Sequence, residues 1–169
     1  MLADILFDVE YAEVYVAHLA FPEGELEWLP EAYGYLVPRP QRMRTLAMHF
    51  TSQLFTDRAP DGMVSLTGFI GGANDPMICH ETDESLRRAI LGELSVALGM
   101  TRVPVPDVFC IVRHKPGLPQ HDVGHSRRIK AMKQLTADVQ GVQMVGNYLG
   151  GVSLNDCIGT ARAVALLDW

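Results

Sequence analysis

Four strand-like runs, separated by turns, constrain the fold of the first half of the chain. Residues 12–21 alternate between two faces, as a half-buried strand does, and Pro22 ends the run. The other three runs are residues 33–37, 43–55 and 63–70. Prolines and the turn D-R-A-P-D-G separate them, and no helical pattern lies between them. We therefore predict an antiparallel meander sheet.

The second half of the chain changes to a pattern in which helices and strands alternate. Thr82 or Asp83 caps a helix that reaches Met100, with Gly99 as its terminator and an apolar face. That apolar face consists of Leu86, Ile90, Leu94, Ala97 and Leu98. The next predicted elements are a strand at 108–113, a loop, a basic helix from 126 to about 139, a strand at 142–145 and a closing helix. The fold class is α+β: a meander sheet followed by helix-strand-helix-strand-helix.

Composition and charge exclude several classes of protein. The chain has 169 residues, 48% hydrophobic and 20% charged, which suits a folded globular domain. A formal net charge of −6 gives no support for nucleic-acid binding, which needs a basic face. No segment has the apolar length of a membrane-spanning helix. Three widely spaced cysteines suit reduced thiols, so we expect a cytoplasmic protein.

The stretch 145–165 predicts a strand end, a glycine-rich turn and a helix. Gly146, Gly150 and Gly151 allow a tight turn, and Ser153 suits the helix start. Apolar residues then recur on one side of the helix, namely Ile158, Ala161, Val164, Ala165 and Leu167. Such a turn can present amide N–H groups to an anionic ligand, but an ordinary strand-turn-helix explains it equally well.

Other chemistries have weaker support. His121 and His125 are four residues apart, but no third ligand is evident and Pro119 and Gly124 disfavour a regular helix, so we predict no metal site. Ser153 lacks a nucleophile-elbow context, and we assign no catalytic residue. The basic residues of the second helix indicate a solvated face, with peripheral contact to an acidic membrane as the alternative. These residues are Arg127, Arg128, Lys130 and Lys133.

Five ordered blocks carry a family resemblance. The blocks are Y-G-Y-L-V-P-R; H-F-T-S-Q-L-F with D-R-A-P-D-G-M; F-I-G-G-A-N-D-P; L-P-Q-H-D-V-G-H; and G-N-Y-L-G-G-V-S-L-N-D-C-I. Together they resemble the C-terminal portion of oxygen-dependent protoporphyrinogen oxidases, which belong to the amine-oxidase-like flavoprotein superfamily. The resemblance implies that residues 1–106 are part of a substrate-binding domain and that residues 107–169 are the C-terminal part of an FAD-binding domain.

The resemblance also implies site residues. It implies that the flavin is contacted by Asn147, Val152, Ser153 and Leu154. It implies that Gly146 and Gly151, which lack side chains, leave room for the flavin ring. It places the walls of a porphyrinogen pocket at Leu36, His49 and Phe69, and plain core packing is the alternative for Leu36 and Phe69. His49 stands where the family usually has an aliphatic residue, so it either tolerates a substrate carboxylate or marks a pocket that has drifted. His121 stands where the family commonly has tyrosine.

The implied function is a segment of an FAD-dependent protoporphyrinogen or coproporphyrinogen oxidase of haem biosynthesis, with oxygen as acceptor. The sequence lacks the glycine fingerprint that holds the ADP part of FAD in such enzymes. We therefore expect FAD binding only together with an N-terminal half, and no activity from this chain alone. The alternative is a non-catalytic porphyrin-binding or interaction module, left from a truncated or split flavoenzyme, that self-associates.

Overall fold

The structure is a computed structural model that describes residues 2–26, 28–137 and 139–166. The chain divides into two compact units. Unit 1 comprises Met1–Ala12 and Leu118–Trp169, and unit 2 comprises Glu13–Gly117. The chain therefore passes between the units at residues 12/13 and 117/118, whereas the family resemblance implies a boundary at 106/107. The assignment of these parts to substrate-binding and FAD-binding domains stays a prediction.

The described residues form a mixed structure of helices and an antiparallel sheet. The strands are β1 (Tyr11–Pro22), β2 (Gly34–Leu36), β3 (Thr45–His49), β4 (Met63–Gly71) and β5 (Val108–Pro119). The helices are α1 (Leu2–Phe7), α2 (Thr51–Leu54), α3 (Asp83–Leu98), α4 (His125–Ala137) and α5 (Leu154–Ala165), with short 3-10 turns at Arg39–Gln41 and Pro76–His80. The sheet order is β2-β3-β4-β1-β5. Strands β2, β3 and β4 form the predicted meander, but β1 pairs with β4 and not with β2.

Three predicted elements differ from the structure. The predicted strand at 43–55 is confined to Thr45–His49, and α2 follows directly after the buried Phe50. The predicted strand at 108–113 extends to Pro119, into the first part of the predicted loop. The predicted strand at 142–145 is irregular, since it has no paired neighbour among the described residues and a strand needs one for its N–H and C=O groups.

The core of unit 2 lies between α3 and one face of the sheet. Thr82 caps α3 by accepting a hydrogen bond from the Ser85 N–H, and Gly99 ends the helix in the left-handed conformation, as predicted. Leu91 joins the buried face, whereas Ala97 of the predicted apolar face is exposed. The buried residues of this core are Tyr15, Ala17, Leu19, Phe21, Leu26, Met48, Phe50, Leu66, Ile70, Ile78, Leu86, Ile90, Leu91 and Leu94. The opposite face of the sheet lacks α3 and is called here the open face.

Glu93 of α3 ties the helix to the start of β3. Its carboxylate accepts hydrogen bonds from the Arg44 N–H (2.8 Å), the Thr45 N–H (2.9 Å) and the Thr45 hydroxyl (2.6 Å). Thr45 is only 1% exposed, and the β3–β4 register shifts between Thr45 and Ala47. The carboxylate thus satisfies polar groups that water does not reach.

Glu93→Ala should lower the free energy of unfolding by about 2 kcal/mol, because it leaves buried donors at Thr45 without an acceptor. Glu93→Gln should cost less, since its amide oxygen still accepts one of the bonds. Arg88→Ala, on the exposed side of α3, is the matched control and should change the value by less than about 0.5 kcal/mol. Urea unfolding of the three variants measures the differences. Equal midpoints for Glu93→Ala and Arg88→Ala would show that the contact does not stabilise the fold.

Unit 1 has a small core of its own. Helix α1 packs on α4, and the buried residues are Val9, Ile129 and Met132. Helix α5 buries no residue within the described chain: Ile158 of its predicted apolar face is 56% exposed, and only Val164 of that face is half-buried. Leu167 lies outside the described residues. Among the described residues, no helix combines the length and apolarity needed to cross a bilayer.

Candidate functional site

The open face of the sheet brings the three predicted substrate residues together. Leu36 pairs with Ala47, and Ala47 pairs with Phe69 on the next strand. His49 lies two residues after Ala47 and therefore on the same face. Side chains of β4 alternate, with Leu66 and Ile70 in the core and Phe69 on the open face. The sheet register thus gathers residues that are far apart in the sequence.

One row of this face is apolar. It crosses four strands and consists of Leu36, Ala47, Phe69 and Val16, each paired with the next. Leu36 is 80% exposed, so plain core packing does not explain it. Phe69 is half-buried, and the His49 ring meets its ring edge to face, with centroids 5.1 Å apart at 67°. We call these four residues the apolar row.

The neighbouring row of the open face is polar. Thr67 pairs with His18 on one side and with His49 on the other. The Thr67 hydroxyl lies 3.4 Å from Nδ1 of His18 and accepts a hydrogen bond (2.8 Å) from the hydroxyl of Thr51 in α2. We call His18, Thr67 and His49 the histidine row. Sequence reasoning missed His18 and Thr67 because their only signal is strand pairing, which alternation within one strand does not reveal.

The predicted flavin segment begins with a turn in unit 1. The Asn147 amide oxygen accepts a hydrogen bond of 3.1 Å from the Tyr11 hydroxyl. A side chain at Gly146 would meet the Tyr148 ring, with Cε1 at 2.5 Å from the added Cβ. Burial raises the pKa of the Tyr148 hydroxyl, and the nearby Tyr11 raises it further. Residues 146–148 are therefore held by local packing, by a hydrogen bond to β1 and by the contact between the Tyr148 carbonyl and His125.

Helix α5 begins with a capping box. The Ser153 hydroxyl accepts a hydrogen bond from the Asp156 N–H, and the Asp156 carboxylate accepts from the Ser153 N–H and hydroxyl. A Cβ at Gly151 would clash with that carboxylate. Within the described part of the chain, the N–H groups of Leu154 and Asn155 have no hydrogen-bond acceptor.

The helix start can therefore offer two amide donors to a ligand. The adjacent side chains of Val152 and Leu154 are exposed, the latter to 76%. Donors and apolar side chains side by side suit a flat ligand with polar edges. Ser153 contributes mainly by fixing the helix start, because its polar atoms already bond to Asp156.

His121 and His125, the pair that is four residues apart in the sequence, lie side by side in the structure. The rings of His121 and His125 stack, with centroids 4.2 Å apart at 15°. Nε2 of His125 lies 2.8 Å from the Tyr148 carbonyl oxygen. No group of three or more His, Cys, Asp or Glu side chains able to hold a metal occurs among the described residues. Cys79, Cys110 and Cys157 are free thiols.

Comparison with known proteins identifies the family. The profile of the family described as flavin containing amine oxidoreductase matches residues 5–166. The chain belongs to this family. It is 30% identical to the coproporphyrinogen III oxidase of Bacillus subtilis, over 86% of this chain and 31% of that protein. It is 31% identical to the chloroplastic protoporphyrinogen oxidase of Nicotiana tabacum, over 96% of this chain and 31% of that protein.

A solved structure agrees with these matches. A protein named as a protoporphyrinogen oxidase from Exiguobacterium sp. 255-15 superposes with a TM-score of 0.78 at 27% identity, covering 97% of this chain and 36% of that one. Reduced UDP-galactopyranose mutase shares the fold, with a TM-score of 0.65 at 15% identity over 86% of this chain and 30% of that one. The resemblance to porphyrinogen oxidases is thus confirmed. This flavin oxidoreductase chain spans about a third of the length of the relatives it matches.

Proposed function

We propose that the chain is part of an FAD-dependent oxidase that converts a porphyrinogen to a porphyrin with oxygen as acceptor. The names of its relatives support this, since coproporphyrinogen and protoporphyrinogen oxidases match most of the chain. Its contribution would be one wall of the substrate site and one segment against the flavin. FAD, when bound, would supply the oxidising chemistry. Because the chain spans about a third of those relatives, the activity belongs to the whole protein.

The observation that carries the proposal is the convergence of Leu36, His49 and Phe69 on the open face. The apolar row crosses four strands, which is about 14 Å at the usual strand spacing. A macrocycle of four pyrrole rings with an apolar body suits an apolar strip that crosses several strands. Binding of such a ring removes the exposed side chain of Leu36 and the open edge of Phe69 from water.

The start of α5 fits a flavin. The unbonded N–H groups of Leu154 and Asn155 lie at the positive end of the helix dipole, where they would favour a polar, electron-rich edge of the ring. Val152 and Leu154 would contact the flat face of the ring, and Gly146, Asn147, Gly151 and Ser153 would keep the turn in shape. On this proposal, unit 2 belongs to the substrate-binding domain and the tail of unit 1 to the FAD-binding domain.

One observation favours a second function, a porphyrin-binding or interaction module without catalysis. Helix α5 exposes Ile158 and Leu154, and Leu166 after it is 75% exposed. A partner, either a dinucleotide-binding half or a second copy of the chain, would cover these residues. Porphyrin binding by the chain in the absence of any flavin, with no oxidation after a dinucleotide-binding half is supplied, would favour this alternative.

The test combines the chain with the dinucleotide-binding half of the Bacillus subtilis relative and measures retained flavin absorbance and the gain of porphyrin fluorescence from coproporphyrinogen. We expect both signals. Gly151→Ala should reduce flavin retention, because the new Cβ displaces Asp156 from the start of α5. Gly159→Ala is the matched control, since nothing lies within 4 Å of its added Cβ. A folded mixture with neither signal refutes the oxidase function.

A further inference from the structure

The histidine row differs in chemistry from the surface beside it. On β4 its member Thr67 is two residues from Phe69 of the apolar row, so the two rows lie side by side on the same face of the sheet. His18 and His49 are exposed, and the Thr67 hydroxyl stands between them in the register. An apolar strip bordered by three hydrogen-bonding side chains suits a ligand that is apolar in its body and polar at one edge.

Both histidines are available to a ligand. Among the described residues, neither forms an ion pair with a carboxylate. The His49 ring contacts the Phe69 ring, and within the described chain its nitrogens form no hydrogen bond to the protein. His18 has one contact, to the Thr67 hydroxyl at 3.4 Å, which is long for a hydrogen bond between these groups.

We infer that the histidine row binds the carboxylate side arms of the macrocycle and so fixes its orientation on the open face; this rests on the proposed function. The row spans two strand spacings, about 10 Å from His18 to His49. Imidazole N–H groups and a hydroxyl donate hydrogen bonds, and carboxylates accept them strongly. The substrate class is therefore a porphyrinogen with acidic side arms along one edge, and His18 and His49 act as positioning residues.

The inference gives the exposed His49 a role. An aliphatic side chain there would make this end of the histidine row apolar and would not distinguish one edge of the ring from another. Histidine divides the face into an apolar half and a hydrogen-bonding half, so one edge of the ring is preferred. The Thr67 hydroxyl accepts a hydrogen bond from the Thr51 hydroxyl, so its own proton is free to be donated to His18 or to a ligand.

The test compares two ligands that differ only in their side arms: coproporphyrin and its tetramethyl ester, in the same detergent. Fluorescence titration of the chain gives both dissociation constants. We expect the acid to bind about ten-fold more tightly than the ester, as a pair of charge-assisted hydrogen bonds would give. The double variant His18→Leu/His49→Leu should abolish the preference by weakening only the acid. His18→Gln/His49→Gln should restore part of it, because amide N–H groups also donate.

The outcomes separate this inference from the proposed function. Equal binding of acid and ester by the unsubstituted chain, or an unchanged ratio in the double leucine variant, overturns the inference and leaves the proposed function standing. Phe69→Ala should weaken both ligands alike, since it removes the apolar contact. Failure of the chain to bind either ligand, or ester binding that is insensitive to Phe69→Ala, overturns the proposed substrate face and the inference with it.

Discussion

Leu66→Ala is expected to lower the free energy of unfolding by about 2–5 kcal/mol, the usual range for a buried leucine. Leu66 is 1% exposed and lies in the core of unit 2. Leu36→Ala is the matched control on the open face, where the side chain is 80% exposed, and should change stability by less than about 0.5 kcal/mol. The two variants therefore make the same Leu→Ala change on opposite faces of one sheet, so a difference in stability reports which face is buried.

The measurement is urea unfolding followed by circular dichroism, combined with porphyrin titration of each folded variant. Leu36→Ala should keep its unfolding midpoint and weaken porphyrin binding, because on our proposal the residue contacts the ligand only. A loss of stability in Leu36→Ala as large as in Leu66→Ala would mean that the open face is covered in solution and cannot receive a macrocycle.

Gly34→Ala is expected to have a comparably large effect, about 3 kcal/mol. Gly34 has φ +141° and pairs with His49 across β2 and β3. An added Cβ would collide with the Met48 carbonyl oxygen and lie 2.9 Å from the Cα of His49. Both obstacles are backbone atoms, which cannot move aside as a flexible side chain can. The substitution should therefore separate β2 from β3 or strain both strands.

Gly92→Ala is the control for Gly34→Ala. It lies within α3, nothing stands within 4 Å of its added Cβ, and alanine favours a helix by up to about 1 kcal/mol over glycine. Hydrogen exchange of the Val37 N–H, which donates to the Leu46 carbonyl, reports on β2 directly. Faster exchange is expected in Gly34→Ala only. Native exchange and a native unfolding midpoint in that variant would contradict the packing described for β2.

Short-range patterns in the sequence predicted those elements whose limits are set by neighbouring residues, such as helix caps and turns. Alternation identified β1, and the cap at Thr82 with the terminator at Gly99 bounded α3. Helix α2 was missed because four residues are too few for a helical period, and the preceding strand pattern continued through it. The exposed apolar side of α5 also could not be foreseen, since periodicity identifies an apolar face but not whether anything covers it.

The candidate site was predictable only in part. The family resemblance supplied Leu36, His49 and Phe69, and strand register placed them on one face. The resemblance did not supply His18 and Thr67, because pairing between β1 and β4 joins residues 49 positions apart in the sequence. The flavin roles of residues 146–154 and the substrate roles on the open face stay predictions.

The irregularity in β3 decides which side chains a ligand can meet. Thr45 is opposite Ile70 and faces inward. The next residue of β4, Phe69, is opposite Ala47 and not Leu46, so β3 carries one extra residue at Leu46. Without that residue, the two-residue repeat would carry His49 to the position opposite Leu66, inside the hydrophobic core, and turn Met48 outward. A single inserted residue, directly after the Thr45 that Glu93 holds, thus places an imidazole on the open face where an uninterrupted ladder would place a thioether.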